Sequence, residues 1–386
     1  MKFKLLTILS ALTFSFSADA QTAQEIPQMP LHLSTMGSFM FGGSVGKNPD
    51  GSTFHGDHGY AQYYIPEKSK NYPVILWHGI GQSGKSYETT TDGREGYQAL
   101  LPRLGWSTYI IDQPRRGRAG RTQAVADNTA DIPTLSSEAG VWNAFRMGRW
   151  VAPQAAGVAP NLQEKLDGYS LDQFMRQQTP DTGDRPDTPE FRKFMAQTMA
   201  KLLDRTGPAI LVTHSNSGQF GWYSAMEAPD KVKAIIAYEP GQHVFPLEDA
   251  PEKTPSSLPL VDERLAHQLV PMEEFKKLTR MPIVIIFGDN ISKERSSIFN
   301  EEVWRVALEN SRKLVDKINQ LGGNAKLIVL PELGIKGNSH AAFADLNNLE
   351  ILELTNNWLK ENKLDVSDTP HVGPKKIETP VTVPLK

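Results

Sequence analysis

An apolar run, Ala209-Ile210-Leu211-Val212, stops abruptly at Thr213-His214-Ser215-Asn216-Ser217-Gly218, and a helical pattern takes over from Ser217 to Ala228. A short, wholly apolar strand that turns straight into a helix belongs in a parallel sheet covered on both faces. A serine at such a turn is exposed at the end of the sheet, where it can act as a nucleophile; the usual pattern is G-x-S-x-G. Here Thr213 and Ser217 stand where the glycines belong. Both are small, although the β-branch of Thr213 crowds a tight turn. Ser215, centred between strand and helix, is the candidate nucleophile. Ser217 competes, with a helix N-cap or a spacer in the turn as its structural role.

Other segments repeat the alternation. Strand patterns lie at Phe54 to Pro66, Tyr72 to Trp77, Ser107 to Ile111, Val232 to Tyr238, Ile283 to Phe287 and Ala325 to Leu330. Helical patterns run from Phe191 to Asp204, Glu301 to Leu321 and His340 to Glu361. Strands alternating with helices predict an open, mostly parallel α/β sheet. One stretch, about 124–190, interrupts the alternation. It holds an aromatic, helical pattern from Glu138 to Val151 and Pro/Asp/Thr-rich sequence from Thr179 to Glu190. So long an insertion in a compact sheet reads as a cap or lid. Its Trp142, Phe145, Met147 and Trp150 are candidates for a pocket wall or for the insertion's own core. The tail, about 365–386, is rich in Pro, Lys and Thr and is expected to be loosely ordered. No internal repeat is present.

The first twenty residues have the layout of a secretory signal: Lys2 and Lys4, an apolar core from Leu5 to Phe16, then Ala18-Asp19-Ala20. The core is too short to span a bilayer of roughly 30 Å. A secreted or periplasmic protein without a stable membrane anchor is the expectation, with residues 21–386 as the folded part. There is no cysteine, so thiol catalysis and thiolate metal sites are excluded. A formal net charge of −3 argues against nucleic-acid binding. The basic run Arg115-Arg116-Gly117-Arg118-Ala119-Gly120-Arg121 reads as a solvated loop after a strand.

A serine hydroxyl needs a base to remove its proton. Of the histidines after Ser215, His243 lies past a strand end and His267 in a helical segment. His340 lies in the glycine-containing loop Gly334-Ile335-Lys336-Gly337-Asn338-Ser339, after the last strand, and chain order favours it. Two carboxylates close strands ahead of it, Glu239 and Asp289; spacing admits either as the partner of the histidine ring. An oxyanion site needs backbone N–H groups, one from Asn216 and another from the loop His78-Gly79-Ile80-Gly81-Gln82-Ser83-Gly84. His78 itself reads as structural. His55-Gly56-Asp57-His58 has residues that suit zinc, but no further ligand cluster accompanies it, and it reads as a polar turn.

Taken together, these segments resemble the atypical secreted bacterial esterases of the α/β-hydrolase superfamily. The resemblance covers about 56–362, apart from much of the insertion. It is carried by Trp77-His78-Gly79, Tyr87-Glu88-Thr89-Thr90-Thr91-Asp92-Gly93-Arg94, Trp106 to Gln113, His214-Ser215-Asn216-Ser217-Gly218, Glu239-Pro240-Gly241, Phe287-Gly288-Asp289 and Gly337-Asn338-Ser339-His340. It implies an α/β-hydrolase fold, with a mostly parallel central sheet, helices on both faces and a helical cap insertion. It also implies a catalytic triad of Ser215, Glu239 and His340, which favours Glu239 over Asp289. The oxyanion donors would be the amides of Ile80 and Asn216. The family's two adjacent cysteines fall on Ile80 and Gly81, so its vicinal disulfide cannot form here. Family members suggest a homodimer. The expected substrate is a small-molecule ester, with no cofactor and no metal. A lactone, thioester or amide substrate for the same triad, or a non-catalytic binding protein on this fold, are the alternatives.

Overall fold

The computed structural model describes residues 23–120, 136–182 and 187–377; the expected signal segment lies outside them. Eight strands form one sheet: β1 (Leu33–Lys47), β2 (Thr53–Pro66), β3 (Val74–Trp77), β4 (Thr108–Asp112), β5 (Ala209–His214), β6 (Val232–Tyr238), β7 (Pro282–Phe287) and β8 (Asn324–Val329). Their order across the sheet is β1-β2-β4-β3-β5-β6-β7-β8. β1 pairs antiparallel with β2, and β2 antiparallel with β4; every other pairing is parallel. The principal helices are α1 (Tyr97–Arg103), α2 (Glu138–Ala144), α3 (Gly168–Arg176), α4 (Pro189–Thr206), α5 (Ser217–Glu227), α6 (Phe299–Gln320) and α7 (Asn348–Glu361).

Alternate residues of the central strands feed two separate cores, as the two-residue period of a strand requires. Ile75, Trp77, Leu211, Ile235, Ile283 and Ile285 pack against α4, α5 and α6. Val74, Leu76, Ile210, Val212, Ile236 and Ile286 pack against α1, α7 and the aromatic residues of the insertion. With both faces covered, these strands carry almost no polar side chain. The parallel strands all end at one edge, and the loops that leave this edge hold His78, Ser215, Glu239, Asp289 and His340. In an open α/β sheet that edge is where ligands bind.

Several expectations change. The sequence reading did not single out β1, because its glycines and serines dilute the alternation; thirteen register partners on β2 define it instead. The helix expected over Glu138 to Val151 stops at Ala144, since Arg146 (φ +57°) and Gly148 (φ +153°) cannot continue it. Trp150–Val151 then pairs with Gln154–Ala155. The helix expected from His340 begins only at Asn348, because the Asp345 carboxylate draws Ser339 N and Oγ into a turn at 2.7 and 2.6 Å. As far as Gly120, where the described residues break off, the arginines of the basic run are paired rather than freely solvated. Arg116 is fully buried against Asp181 and Thr179 O, Arg115 pairs with Asp57 and Arg118 with Asp112. The tail is tied down as far as Lys375: His371 is buried, its ring bonds the Tyr109 hydroxyl at 2.8 Å, and Lys375 N donates to Arg205 O. Among the described residues no helix is long and apolar enough to cross a membrane.

Candidate active site

β5 ends at His214, and Ser215 follows with φ +54°, a left-handed conformation that costs a non-glycine residue roughly 1–3 kcal/mol. The turn is held from several sides. Ser215 N donates to Tyr238 O at 2.9 Å, and Gly218 N donates to Ser215 O at 3.0 Å. Ser217 Oγ accepts from His214 N at 2.9 Å and donates to Trp77 O or His214 O. Ser217 is fully buried in this role, whereas Ser215 Oγ is left without a partner among the described residues. The missing first glycine is compensated one helical turn later. A Cβ on Gly221 would sit 2.9 Å from Thr213 Cγ2, so the glycine in α5 makes room for the threonine methyl.

Glu239 ends β6, also with positive φ (+44°). Its Oε2 accepts from His340 Nδ1 at 2.6 Å, and its Oε1 accepts from Gly288 N at 2.6 Å. A third donor comes from outside the segments singled out as the site. Arg146, in the insertion, makes a two-pronged contact, with Nη1 to Oε2 at 2.7 Å and Nη2 to Oε1 at 2.5 Å. Its Nε donates to Asp289 O at 2.8 Å. Burial raises the Glu239 carboxyl, but the Arg146 charge and the bonds from His340 and Arg146 outweigh it and hold it at about 2. The carboxylate is therefore ionised across the working range. His340 is moved below its usual value: burial lowers it, Glu239 raises it, and the Arg146 charge lowers it again.

Asp289, the other carboxylate that spacing allowed, is committed elsewhere. Its Oδ2 accepts from Gly337 N at 2.8 Å and its Oδ1 from Asn290 N at 2.6 Å. It braces the loop that carries His340 rather than the ring. His340 lies against the serine turn: its carbonyl accepts from His214 Nε2 at 2.8 Å, and the two rings are 4.5 Å apart. Phe145 and Trp304 flank the ring, and Phe145 O accepts from His340 N. His340 Nε2 has no partner among the described residues and is not bonded to Ser215 Oγ in this state; such bonds often form fully only with substrate. His243 and His267 are remote, bonded to Ser311 and Asn310 on α6. His78 is buried and bonded to Gly79 O and Gln113 N, in a structural role. Asp57, in the segment considered for zinc, pairs with Arg115.

The amides of Ile80 and Asn216 donate to no acceptor among the described residues, and both residues line one cavity of about 490 Å³. Unpaired amides beside a serine turn are what an oxyanion site requires. With no disulfide possible at Ile80 and Gly81, side chains and the insertion hold this loop. Gln82 Oε1 accepts from Gly79 N at 3.2 Å and contacts His214 Nδ1 at 2.9 Å, while Gly81 O accepts from Thr179 N at 2.8 Å. Trp142, Phe145 and Met147 are buried in the second core.

The order of the eight strands, the strand–serine–helix turn and the loops gathered at one edge define an α/β-hydrolase fold. Comparison with known proteins agrees. The structure superposes on that of a bacterial esterase with a TM-score of 0.67 at 29% identity, over 86% of this chain and 98% of the esterase. The sequence is 28% identical over 338 residues to a probable secreted lipase, phiG, of a fungal species (strain ATCC 74256), covering 78% of this chain and 85% of the lipase. No protein-family model matches the chain. The likeness to bacterial esterases expected from the motifs is therefore borne out at the level of sequence and fold.

Proposed function

We propose that the protein is a serine hydrolase that cleaves carboxylic esters through an acyl-enzyme, with Ser215, His340 and Glu239 as its triad. The observation that carries this reading is the 2.6 Å bond from His340 Nδ1 to a buried, ionised Glu239, on a histidine packed against the strained Ser215 turn. His340 Nε2 takes the Ser215 proton as Oγ attacks the ester carbonyl. The tetrahedral oxyanion forms between the amides of Ile80 and Asn216. His340, its imidazolium stabilised by Glu239, then protonates the leaving alkoxide. Water attacks the acyl-enzyme with the proton transfers repeated in the same order. Apart from the ester and water, these steps use only groups of the chain. The leader-like residues 1–20, together with the likeness to a lipase described as secreted, support export.

The test is hydrolysis of short-chain p-nitrophenyl esters and labelling by a fluorophosphonate. Ser215→Ala is expected to abolish both while remaining folded. Glu239→Gln is expected to lower kcat by about 10²–10⁴-fold, and Asp289→Asn by only a few-fold. A fully active Ser215→Ala variant overturns the nucleophile assignment, and the reverse order of the two acid variants overturns Glu239.

A further inference from the structure

Resting on that reading, we propose that the cavity beside Ile80 and Asn216 is an acyl pocket for short chains carrying a neutral oxygen acceptor, with Gln242 as the donor that selects them. The leaving group of an ester must lie within reach of the histidine that protonates it. Neither Ser215 nor His340 lines this cavity, whereas the two residues with unpaired amides do, so it lies on the oxyanion side of the serine turn. A carbonyl seated between those amides therefore directs its acyl chain into the cavity and its alcohol toward His340.

Seven of the eleven residues that line the cavity are polar, and Ile80, Phe191, Phe220 and Leu260 supply its apolar part. Gln219 is saturated: its Nε2 donates to Asn216 Oδ1 at 2.9 Å and to Gln242 Oε1 at 3.2 Å, and its Oε1 accepts from Gln268 Nε2 at 2.8 Å. These bonds use the oxygen of Gln242 and leave its Nε2 without a partner among the described residues. Gln242 is only 8% exposed, yet this nitrogen is not among the sealed-off polar atoms, so it opens on the cavity that the residue lines. An amide N–H that opens on the cavity is free to donate to a ligand oxygen in place of water. The charges around the cavity balance, two arginines (Arg192, Arg264) against two carboxylates (Asp187, Glu263). Arg192 is already paired with Asp187. A neutral ketone, ether or hydroxyl oxygen therefore fits better than a carboxylate. Each added methylene gains about 0.8 kcal/mol only when it reaches apolar surface. Polar walls deny most of that gain to a long fatty chain.

The experiment compares kcat/KM for p-nitrophenyl 4-oxopentanoate and p-nitrophenyl pentanoate, each divided by its rate with hydroxide. The native enzyme should favour the oxo ester by about tenfold, the worth of one well-placed hydrogen bond. Gln242→Leu, or Gln242→Met should the first variant fail to fold, should bring the normalised ratio to one. A native ratio of one, or a ratio unchanged in the folded variant, overturns the proposal. Failure of the esterase reading looks different: neither ester turns over, and Ser215 takes no fluorophosphonate.

Discussion

Replacing Arg146 by methionine tests how the insertion tunes His340, the proposed base. Arg146 Nη1 and His340 Nδ1 both donate to Glu239 Oε2, at 2.7 and 2.6 Å, so the two nitrogens lie within about 5 Å of each other. At that separation and an effective dielectric of about 20, a unit charge is worth about 3 kcal/mol, the upper bound on what Arg146 can do to the ring while Glu239 lies between them. Guanidinium stays charged throughout the working range. Its repulsion of the imidazolium therefore lowers His340, in the direction that burial also lowers it and against the pull of Glu239. The other ionisable ring against His340, His214, is held neutral by burial, and Phe145 and Trp304 carry no charge. A base acts only when unprotonated. Removing the arginine should raise His340 and move the acidic limb of kcat/KM for a p-nitrophenyl ester to higher pH. Arg146→Lys keeps the charge and should leave the limb near its native position while lowering the plateau. The limb should be followed both by turnover and by the rate of fluorophosphonate labelling, which remains measurable if turnover becomes slow. A folded Arg146→Met variant whose limb coincides with the native one would refute the reasoning and reduce Arg146 to a structural tie.

Two further changes probe the support of the site. A Cβ on Gly288 would lie 2.7 Å from both Asn338 O and Ser339 O, and 3.0 Å from Glu239 Oε1. Gly288→Ala should therefore displace either the acid or the histidine loop, lowering kcat about a hundredfold and stability by about 1–3 kcal/mol; native kinetics would show that the loop yields without consequence. Glu164, in the insertion, accepts from Thr91 Oγ1 at 2.9 Å, and burial, with the nearby Asp345 charge, raises its carboxyl to about 8. A carboxyl raised on folding favours the folded state below its unfolded pKa, and that contribution is lost as pH climbs to the folded one. This decline, on the order of a few kcal/mol between about pH 4.5 and 8, should be absent in Glu164→Gln, whose Tm should gain on the native value as pH rises through that range. Parallel Tm–pH curves would remove Glu164 as its source.

The central parallel strands were legible because burial on both faces leaves them nearly uninterrupted apolar runs, and the candidate site residues were legible because they fall where those runs stop. β1 was not, since Leu33–Lys47 derives its pairing from β2 rather than from its own pattern. The insertion was read too simply. Its aromatic periodicity from Glu138 to Val151 masked the break at Arg146, where the chain leaves the helix to reach Glu239. An arginine set among Trp142, Phe145, Met147 and Trp150 was itself a signal, because a charge in so apolar a stretch needs a buried partner. Spacing could not choose between Glu239 and Asp289: both close strands at the same edge, and only the directions of their side chains separate the partner of the histidine ring from the brace of its loop.

The contacts of the insertion bear on how such a protein can diversify. Phe145 O holds the backbone of His340, Arg146 grips Glu239, Thr179 N ties the loop of Ile80, and the amide of Gln163 bonds Gly337 O. The segment between β4 and α4 is therefore no detachable accessory. A chimera that exchanged it for the corresponding piece of a relative would exchange the electrostatic setting of the base along with the walls around the substrate. On the proposed reading, new specificity would come more readily through point changes at residues such as Gln242, which borders the proposed acyl cavity without touching Ser215, His340 or Glu239, than through recombination of whole segments.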